Sequence, residues 1–243
     1  MRLKLTVQYD GTNYSGWQVQ PGERTIQGAL EEAFATVERA PVRIAGAGRT
    51  DAGVHALGQV AHVDVARDHD APTWVRAINA HLDRDIRVMA VEFVDERFHA
   101  RMSAVGKTYV YRYWTGPAVS PFEYRYVTHA PRPLDVGLVR TAAAALLGTH
   151  DFEAFTVADR ETLTTVREIR RLDVTQNGDV LEITAEANGF LRAMVRTIAG
   201  TLLAVGEGRL GPDATSIALR ERRREFAGPT APAAGLTLVR VDY

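Results

Sequence analysis

The 243-residue sequence contains no cysteine, which excludes disulfide bonds, thiolate nucleophiles and cysteine zinc sites. It also lacks a long apolar run. The longest uninterrupted run, Ala142 to Leu147, is about a third of what a membrane-spanning helix needs. The first five residues alternate between polar and apolar and lack the apolar block of a secretory signal. Together these absences favour a cytosolic protein.

Net charge is nearly absent as well. The 29 basic and 30 acidic residues give a formal net charge of −1, so overall charge gives no indication of a nucleic-acid partner. Apolar residues make up 46% of the chain and charged residues 24%, which is typical of a soluble globular protein and argues against a disordered one. Evidence for a nucleic-acid interface must therefore come from local clustering of charge.

Apolar periodicity indicates a mixture of strands and helices. Residues 3–9 alternate as in a half-buried strand, and Asn177-Gly178 between two apolar runs predicts a β-hairpin. Because hairpins and helices are mixed, the sequence predicts an α+β fold with largely antiparallel sheets. The predicted strands lie near residues 3–9, 42–46, 59–65, 86–93, 109–114, 166–175, 180–187 and 236–241.

Four helices are indicated where apolar residues repeat every three or four positions. Two similar α/β halves are expected to meet near residue 100, although no linker-like composition marks a boundary. The predicted division is therefore 1–100 and 101–243. The predicted helices lie near residues 25–37, 72–82, 134–146 and 190–205.

The densest local signal is a glycine-rich segment between Ala45 and His55 that carries Arg49 and Asp51. Its glycines allow sharp turns and close approach of a ligand. Asp51 stands where a dinucleotide fingerprint needs glycine or alanine, and the Gly-Lys-Ser/Thr of a phosphate loop is absent. A carboxylate beside a guanidinium stays ionised at neutral pH, as a nucleophile or base must. The alternative is an Asx-turn, in which Asp51 only caps the backbone near Gly53.

Two other kinds of catalytic centre lack support. His55, His62 and His99 do not have the i, i+4 spacing of a helical zinc site, so no metal is expected beside Asp51. The Gly-x-Ser-x-Gly pattern around a serine nucleophile does not occur in the sequence. Asp51 therefore remains the strongest candidate for a catalytic residue.

Basic and aromatic residues are interleaved between Arg97 and Arg132. These 36 residues include six basic residues, one acidic residue, Glu123, and eight of the chain's 19 aromatic residues. Cations that follow phosphates and rings that stack on unpaired bases suit single-stranded or looped RNA. We predict that Arg101 and Lys107 contact RNA. The alternative is that the strand tyrosines are simply core residues.

The predicted helix over residues 190–205 carries Arg196 between Met194 and Ile198, close to its apolar stripe. An unpaired cation at such a position is costly, and Asp51 is an obvious candidate partner. The alternative is an arginine whose guanidinium reaches solvent while its stem stays buried.

Six short motifs follow one another along the chain: Tyr9-Asp10-Gly11, Gly16-Trp17-Gln18-x-Gln20, Gly48-Arg49-Thr50-Asp51-Ala52-Gly53-Val54-His55, Phe98-His99-Ala100-Arg101, Lys107-x-Tyr109 and Met194-Val195-Arg196. Together they resemble the tRNA pseudouridine synthase A family, and the resemblance extends from Leu3 to Tyr243. The third motif is the most specific of the six. The agreement in order makes coincidence a poor explanation.

The resemblance implies the pseudouridine synthase fold, in which two α/β halves with largely antiparallel sheets flank an active-site cleft. It also implies an isomerase that converts uridine to pseudouridine in the anticodon arm of tRNA, at nucleotides 38 to 40. The family acts as a homodimer, and one tRNA contacts both subunits. Because the reaction oxidises nothing and adds no group, no redox cofactor, ATP or metal is expected.

By position, the resemblance makes Asp51 the catalytic aspartate and Tyr109 the tyrosine against the target base. Arg196 becomes the basic residue that pairs with Asp51, and Arg49 an arginine that acts on the RNA near the flipped base. Leu236 matches an apolar residue of the uracil pocket. Asp51 could attack C6 of the base, attack C1′ of the ribose or remove a sugar proton.

Two other functional classes stay open at this point. One is a non-catalytic RNA-binding module in which Asp51 is only a turn residue. The other is a nucleoside-cleaving glycosidase, which needs a second carboxylate opposite Asp51 to handle water or the leaving group. The sequence offers no second carboxylate with a comparable motif.

Overall fold

The computed structural model describes residues 1–157 and 163–243, which form two units. The first unit comprises Met1–Val105 and Leu238–Tyr243, and the second comprises Gly106–Thr237. The sequence instead places the division near residue 100 and the whole carboxyl-terminal segment in the second half. The difference arises because the chain from Leu238 onward pairs with a strand of the first unit. Such a long-range pairing leaves no local signal in the sequence.

The first unit is a sheet with two helices. Its strand order is β4-β1-β3-β10, with β2 beside β3, and β1 is antiparallel to both of its neighbours. Buried and half-buried residues alternate along the whole of β1, as predicted. The elements are β1 (Arg2–Tyr9), α1 (Ile26–Glu38), β2 (Ile44–Gly46), β3 (His55–Asp64), α2 (Ala71–Asn79), β4 (Ile86–Val94) and most of β10 (Leu236–Asp242).

Helix α1 lies where its apolar stripe predicts it. It begins after Thr25, whose side chain accepts a hydrogen bond from the amide of Gly28 at 3.2 Å. The Phe34 ring on its buried face stacks on Trp74 of α2, with ring centroids 5.7 Å apart. Since both rings are fully buried, this pair holds the two helices together.

Helix α2 is shorter than the predicted range of 72–82. It begins after Asp70, whose side chain accepts from the amide of Thr73 at 2.8 Å, and it ends at Asn79. The Asn79 side chain donates to the carbonyl of Val88 in β4 (2.8 Å) and accepts from its amide (2.9 Å). A side chain that bonds the backbone of a neighbouring strand competes with continuation of the helix.

The second unit is built on strands in the order β5-β9-β8-β7. Neighbours in this order are antiparallel, whereas the short β6 pairs parallel with β5. Together with the first unit, this confirms the predicted α+β class. The elements are β5 (Gly106–Trp114), β6 (Thr128–His129), α3 (Val136–Ala144), β7 (Gly148–Asp151), β8 (Val166–Asn177), β9 (Val180–Ala187), α4 (Met194–Gly206), α5 (Ala214–Glu221) and the start of β10.

The predicted hairpin between β8 and β9 is present, with its turn one residue later than expected. Asn177 pairs with Val180, so Gly178 and Asp179 form the two-residue loop. Gly178 has φ +57°, a left-handed conformation that glycine adopts without steric cost. The two-residue β6 and the four-residue β7 are too short to show a periodicity and were not predicted.

Two predicted apolar stripes differ from the observed helices, one in its buried residues and one in its start. In α3, Leu138 was expected to be buried, but it is 36% exposed, and Val139 lies in the core instead. Helix α4 begins at Met194 and not near residue 190, because Ala193 has φ 57° and interrupts any helix before it.

No helix among the described residues is both long and apolar enough to cross a bilayer.

Helix α4 is crossed at close range by the segment 228–231. A Cβ added to Gly200 would lie 1.8 Å from the carbonyl oxygen of Pro229, so only glycine allows this approach. The amide of Ala231 donates to the main-chain oxygen of Arg196 at 3.0 Å. The crossing segment therefore packs directly on the first turns of α4.

We expect Gly200→Ala to destabilise the protein. In a helix interior this replacement ordinarily stabilises by about 1 kcal/mol. Here the methyl group would meet the Pro229 carbonyl, and we expect the free energy of unfolding to fall by about 2 kcal/mol or more. Denaturant titration measures the change. Gly28→Ala in α1 is the control, because a Cβ there meets only side-chain atoms; equal stability of the two variants would contradict the expectation.

Candidate functional site

Asp51 lies in the loop of residues 47–54 between β2 and β3, which we name the Asp51 loop. The loop is anchored where the amide of Ala47 donates to the carbonyl of Val60 at 2.7 Å. Asp51 opens a turn in which its main-chain oxygen accepts from the amide of Val54 at 3.1 Å. The Asp51 residue itself is only partly buried.

The hydrogen bonds of this turn bear on the Asx-turn alternative. That alternative expects the Asp51 carboxylate to cap an amide near Gly53. In the structure the Gly53 amide donates to the main-chain oxygen of Tyr14 at 3.3 Å, and Gly53 has φ +78°. Main-chain bonds therefore help to hold the turn.

A second loop, residues 10–17 after β1, packs against the Asp51 loop; we name it the Trp17 loop. A Cβ on Gly11 would lie 2.0 Å from the carbonyl oxygen of Val54, and one on Gly16 would lie 2.7 Å from that of Thr50. Gly16 also has φ +89°. The first two motifs thus meet the third backbone to backbone, and glycine makes the contact possible.

Trp17 strengthens this contact. Its buried indole covers Gly46, where an added Cβ would lie 2.5 Å from the ring, and its amide donates to the carbonyl of Thr50 at 3.0 Å. On the exposed side of the loop, Arg49 donates from Nε to Oε1 of Gln18 at 3.2 Å. Arg49 and Asp51 therefore share one loop, and the buried Trp17 holds its backbone in place.

Three histidines of the first unit hold loops through Nδ1. The Nδ1 atom of His55 accepts a hydrogen bond from a main-chain amide of the Trp17 loop at 3.1 Å. The Nδ1 atom of His62 accepts from the amide of Ala100 at 3.2 Å, and the Nδ1 atom of His99 accepts from the amide of Arg101 at 3.2 Å. Burial lowers the pKa of His62, and the neighbouring His99 lowers it further. The exposed Arg101 thus projects from a loop that two imidazoles fix.

In the second unit, Tyr109 lies on β5 and is almost wholly buried. The ring of Phe190 meets it edge to face, with centroids 5.2 Å apart. Phe190 was predicted to begin α4, but it precedes that helix and packs on Tyr109 instead. The half-buried Lys107 lies two positions earlier on β5, and side chains at this spacing project from the same face of a strand.

Arg196 and Leu236 are also placed by the second unit. Arg196 lies in the first turn of α4 and is half-buried, and its Nε donates to the carbonyl of Ala231 at 2.8 Å. Leu236 opens β10 after the short turn Ala233–Gly235 and is buried. The segment that crosses α4 therefore orients the Arg196 side chain as well as its backbone.

The aromatic residues between Arg97 and Arg132 divide into two groups. Tyr111 and Tyr113 are fully buried, and burial raises the pKa of Tyr111 to about 12. For these two tyrosines the core interpretation holds. Phe122, in contrast, is 87% exposed, and the rings at 124 and 126 are exposed as well. The loop over residues 120–126 therefore presents rings to solvent, as a surface for unpaired bases requires.

The positive charge of the same segment is smaller than its composition suggests. Ion pairs join some of its basic residues to acidic residues that lie outside it. Among these pairs are Arg97 with Asp95 (2.9 Å), Arg112 with Glu182 (2.9 Å) and Arg132 with Glu207 (3.9 Å).

A family model described as tRNA pseudouridine synthase matches residues 5–102 and 142–243. The chain belongs to the tRNA pseudouridine synthase family. The matched segments include Asp51, Arg101, Arg196 and Leu236, whereas Tyr109 lies between them. Membership confirms the pseudouridine synthase fold and makes the chain an enzyme of the isomerase class.

Full-length relatives agree with this membership. Proteins named tRNA pseudouridine synthase A from Bacillus pumilus (strain SAFR-032) and Bacillus subtilis (strain 168) are 47% and 46% identical to the synthase over 245 residues. The protein of that name from Nitrobacter hamburgensis is 46% identical over 244 residues. Each comparison covers 100% of this chain and 99% of the relative.

One buried residue of the synthase was not recognised from the sequence. Gln59 in β3 is fully buried and bonds the Asp51 loop through the carbonyl of Gly48 at 2.9 Å. The available signal was a glutamine followed directly by an apolar run, but a polar residue in a strand ordinarily indicates a solvent-facing position.

We expect Gly16→Ala to impair the synthase more than Gly22→Ala. Both glycines have positive φ, +89° and +76°, so both variants bear left-handed strain of about 1 kcal/mol. Only at Gly16 would the methyl group also press on Thr50, whereas a Cβ on Gly22 meets nothing within 4 Å. Melting temperature and the rate of pseudouridine formation test this. Equal rates for the two variants would mean that the contact between the loops does not matter for turnover.

Proposed function

We propose that this chain isomerises uridine to pseudouridine in tRNA, that its target lies in the anticodon arm at nucleotides 38 to 40, and that Asp51 is the essential carboxylate. Family membership and the name shared by the full-length relatives support the reaction and the tRNA substrate. The nucleotide positions rest on the motif resemblance. The observation that carries the role of Asp51 is its loop, whose turn is held by main-chain bonds.

The reaction requires no external reactant. The N1–C1′ bond breaks, the uracil turns, C5 joins C1′, and the proton lost from C5 is balanced by one gained at N1. A nucleophile or base at the ribose or at C6 is sufficient to start this sequence, and an ionised Asp51 supplies either. No cofactor is part of the proposal.

The uridine is stacked in an RNA stem, so it must first be extruded, at a cost of roughly a few kcal/mol. We propose that the ring of Tyr109 stacks on the extruded base, which would recover on the order of 1–3 kcal/mol. Leu236 would add an apolar wall to the uracil pocket, and Arg49 would act on the RNA near the flipped nucleotide. From its motif, Arg196 is proposed to pair with the Asp51 carboxylate and keep it ionised.

The remaining tRNA contacts are proposed to come from basic side chains, with the exposed Arg101 and the half-buried Lys107 among them, because phosphate contacts supply most of the affinity for RNA. We also propose that the enzyme acts as a homodimer in the cytoplasm. The dimer follows from the resemblance, and the location follows from a tRNA substrate.

We expect Asp51→Asn to lower pseudouridine formation by about a thousandfold or more while tRNA binding persists, because the amide keeps the shape but loses the nucleophile. Position-resolved detection of pseudouridine in a tRNA with uridine at 38, 39 and 40 measures conversion and location together. Asp68→Asn is the matched control, because Asp68 is exposed and the same chemical change there should leave conversion unchanged.

Four outcomes would contradict the proposal in different ways. Unchanged conversion in Asp51→Asn would remove this residue from the mechanism. Conversion confined to another arm of the tRNA would overturn the assigned nucleotides. Release of free uracil would indicate a glycosidase, and tRNA binding without any conversion by the wild-type chain would indicate a binding module.

We expect Tyr109→Ala to lower turnover about 10- to 100-fold, which corresponds to the loss of one stacking contact. The dissociation constant for tRNA should change little, because phosphate contacts dominate it. Tyr109→Phe keeps the ring and should retain most of the stacking contribution. Single-turnover kinetics and filter binding separate the two effects, and a loss confined to affinity would contradict stacking. A melting curve controls for the contact with Phe190.

A further inference from the structure

A buried polar cluster lies under the Asp51 loop and is formed by residues from three elements. Tyr9 ends β1, Gln59 lies in β3, and Thr50 directly precedes Asp51. Their exposed fractions are 4%, 0% and 6%. The Tyr9 hydroxyl lies 2.8 Å from Oγ1 of Thr50, and Nε2 of Gln59 lies 3.3 Å from the same hydroxyl and 2.9 Å from the carbonyl oxygen of Gly48.

The chemistry of these groups fixes the direction of two of the three bonds. The Gly48 carbonyl can only accept, so the Gln59 atom facing it must be the NH2 group. The second hydrogen of that group then points to the Tyr9 oxygen, which accepts it. The Tyr9 hydroxyl carries one proton, and the bond between this hydroxyl and Oγ1 of Thr50 can be donated from either side. Burial raises the pKa of Tyr9 to about 12, so this proton is retained at neutral pH.

The cluster holds the Asp51 loop on the chain segment just before the carboxylate. Gln59 bonds the backbone at Gly48, and Tyr9 bonds the side chain of Thr50, whose carbonyl already accepts from the amide of Trp17. Thr50 is thus fixed through both its main chain and its side chain. Rotation of the peptide between Thr50 and Asp51 would break at least one of these bonds, and the Asp51 side chain would move with it.

We propose that the buried chain of hydrogen bonds from Gln59 through Tyr9 to Thr50 sets the position of the Asp51 carboxylate for reaction. Tyr9, Thr50 and Gln59 are then positioning residues, which act through Asp51 without touching the substrate. This inference rests on the proposed catalytic role of Asp51. Its physical basis is that a displacement of about 1 Å in a reacting group can cost about 100-fold in rate.

The experiment compares variants that remove or keep a single hydroxyl group. Thr50→Val keeps the shape of the side chain but removes the hydroxyl that bonds Tyr9, and Thr50→Ser keeps that hydroxyl. Tyr9→Phe removes the hydroxyl from the other side. Thr215→Val is the matched control, because Thr215 in α5 is also fully buried and donates one hydrogen bond, to the carbonyl of Ala142 at 3.0 Å.

Single-turnover conversion of a tRNA substrate with enzyme in excess measures the chemical step, and filter binding measures affinity. We expect Thr50→Val and Tyr9→Phe to slow the chemical step about 10- to 100-fold with an unchanged dissociation constant. Thr50→Ser should stay within about threefold of the wild type, and Thr215→Val within about twofold. The double variant Tyr9→Phe/Thr50→Val should be no slower than the slower single variant, because both remove the same bond.

Several results would overturn the proposal. One is wild-type turnover in Thr50→Val. Another is a Thr50→Ser enzyme as slow as Thr50→Val, because the hydroxyl would then not be sufficient to preserve the rate. If Tyr9→Phe does not fold, the comparison of Thr50→Ser with Thr50→Val still decides. Activity retained in Asp51→Asn would refute the proposed catalytic residue, whereas an inactive Asp51→Asn beside a fully active Thr50→Val would refute the positioning role alone.

Discussion

The candidate site depends on one steric constraint, namely the backbone contact between the Asp51 loop and the Trp17 loop. At Gly11 and Gly16 the two chains approach so closely that a single methyl group would overlap a main-chain carbonyl. A contact between two backbones cannot be relieved by a change of rotamer, so the loops hold each other in one arrangement. Glycines of two other motifs therefore limit the backbone conformation at Asp51 before any substrate is bound.

In the second unit, a close backbone contact at a glycine likewise positions Arg196. The segment 228–231 reaches α4 at Gly200 and then bonds Arg196 twice, through the amide and the carbonyl of Ala231. An arginine has many rotamers, and ordering it costs up to about 2 kcal/mol of side-chain entropy. A bond to a fixed carbonyl means that this ordering occurs during folding and not during the reaction. In both units a rigid backbone contact thus limits the freedom of a charged side chain.

Local patterns predicted the parts of the fold that local forces decide. The alternation in β1, the stripe of α1 and the turn between β8 and β9 each appear in a few consecutive residues, and all three are present. The start of α4 could not be predicted, because it depends on a left-handed backbone at Ala193, an alanine like any other in the sequence. The return of β10 to the first unit is a pairing across more than half the chain, which no short window contains.

The same limit applies to the candidate site. Glycine density and motif resemblance indicate Asp51 as a candidate catalytic residue, since both are properties of consecutive residues. The structural role of Gln59 could not be predicted, because it depends on two hydrogen-bond partners that only the fold brings close, the Gly48 carbonyl and the Tyr9 hydroxyl. A buried amide is costly without partners and specific with them. A candidate for the reacting residue can therefore be recognised in the sequence, whereas the residues proposed to position it are recognised only in the fold.

Charge distribution explains how a chain with a net charge of −1 can serve a polyanionic substrate. Acids outside the basic segment pair with Arg97, Arg112 and Arg132, and the exposed pair of Arg97 with Asp95 adds little to stability. Their stronger effect is on the local potential, because each paired arginine releases fewer counterions from a phosphate backbone. Non-specific affinity for RNA is thereby lowered. In the proposed function, discrimination among RNAs then depends on a small number of placed cations and on the energy of extruding one base, which are local properties that net charge does not measure.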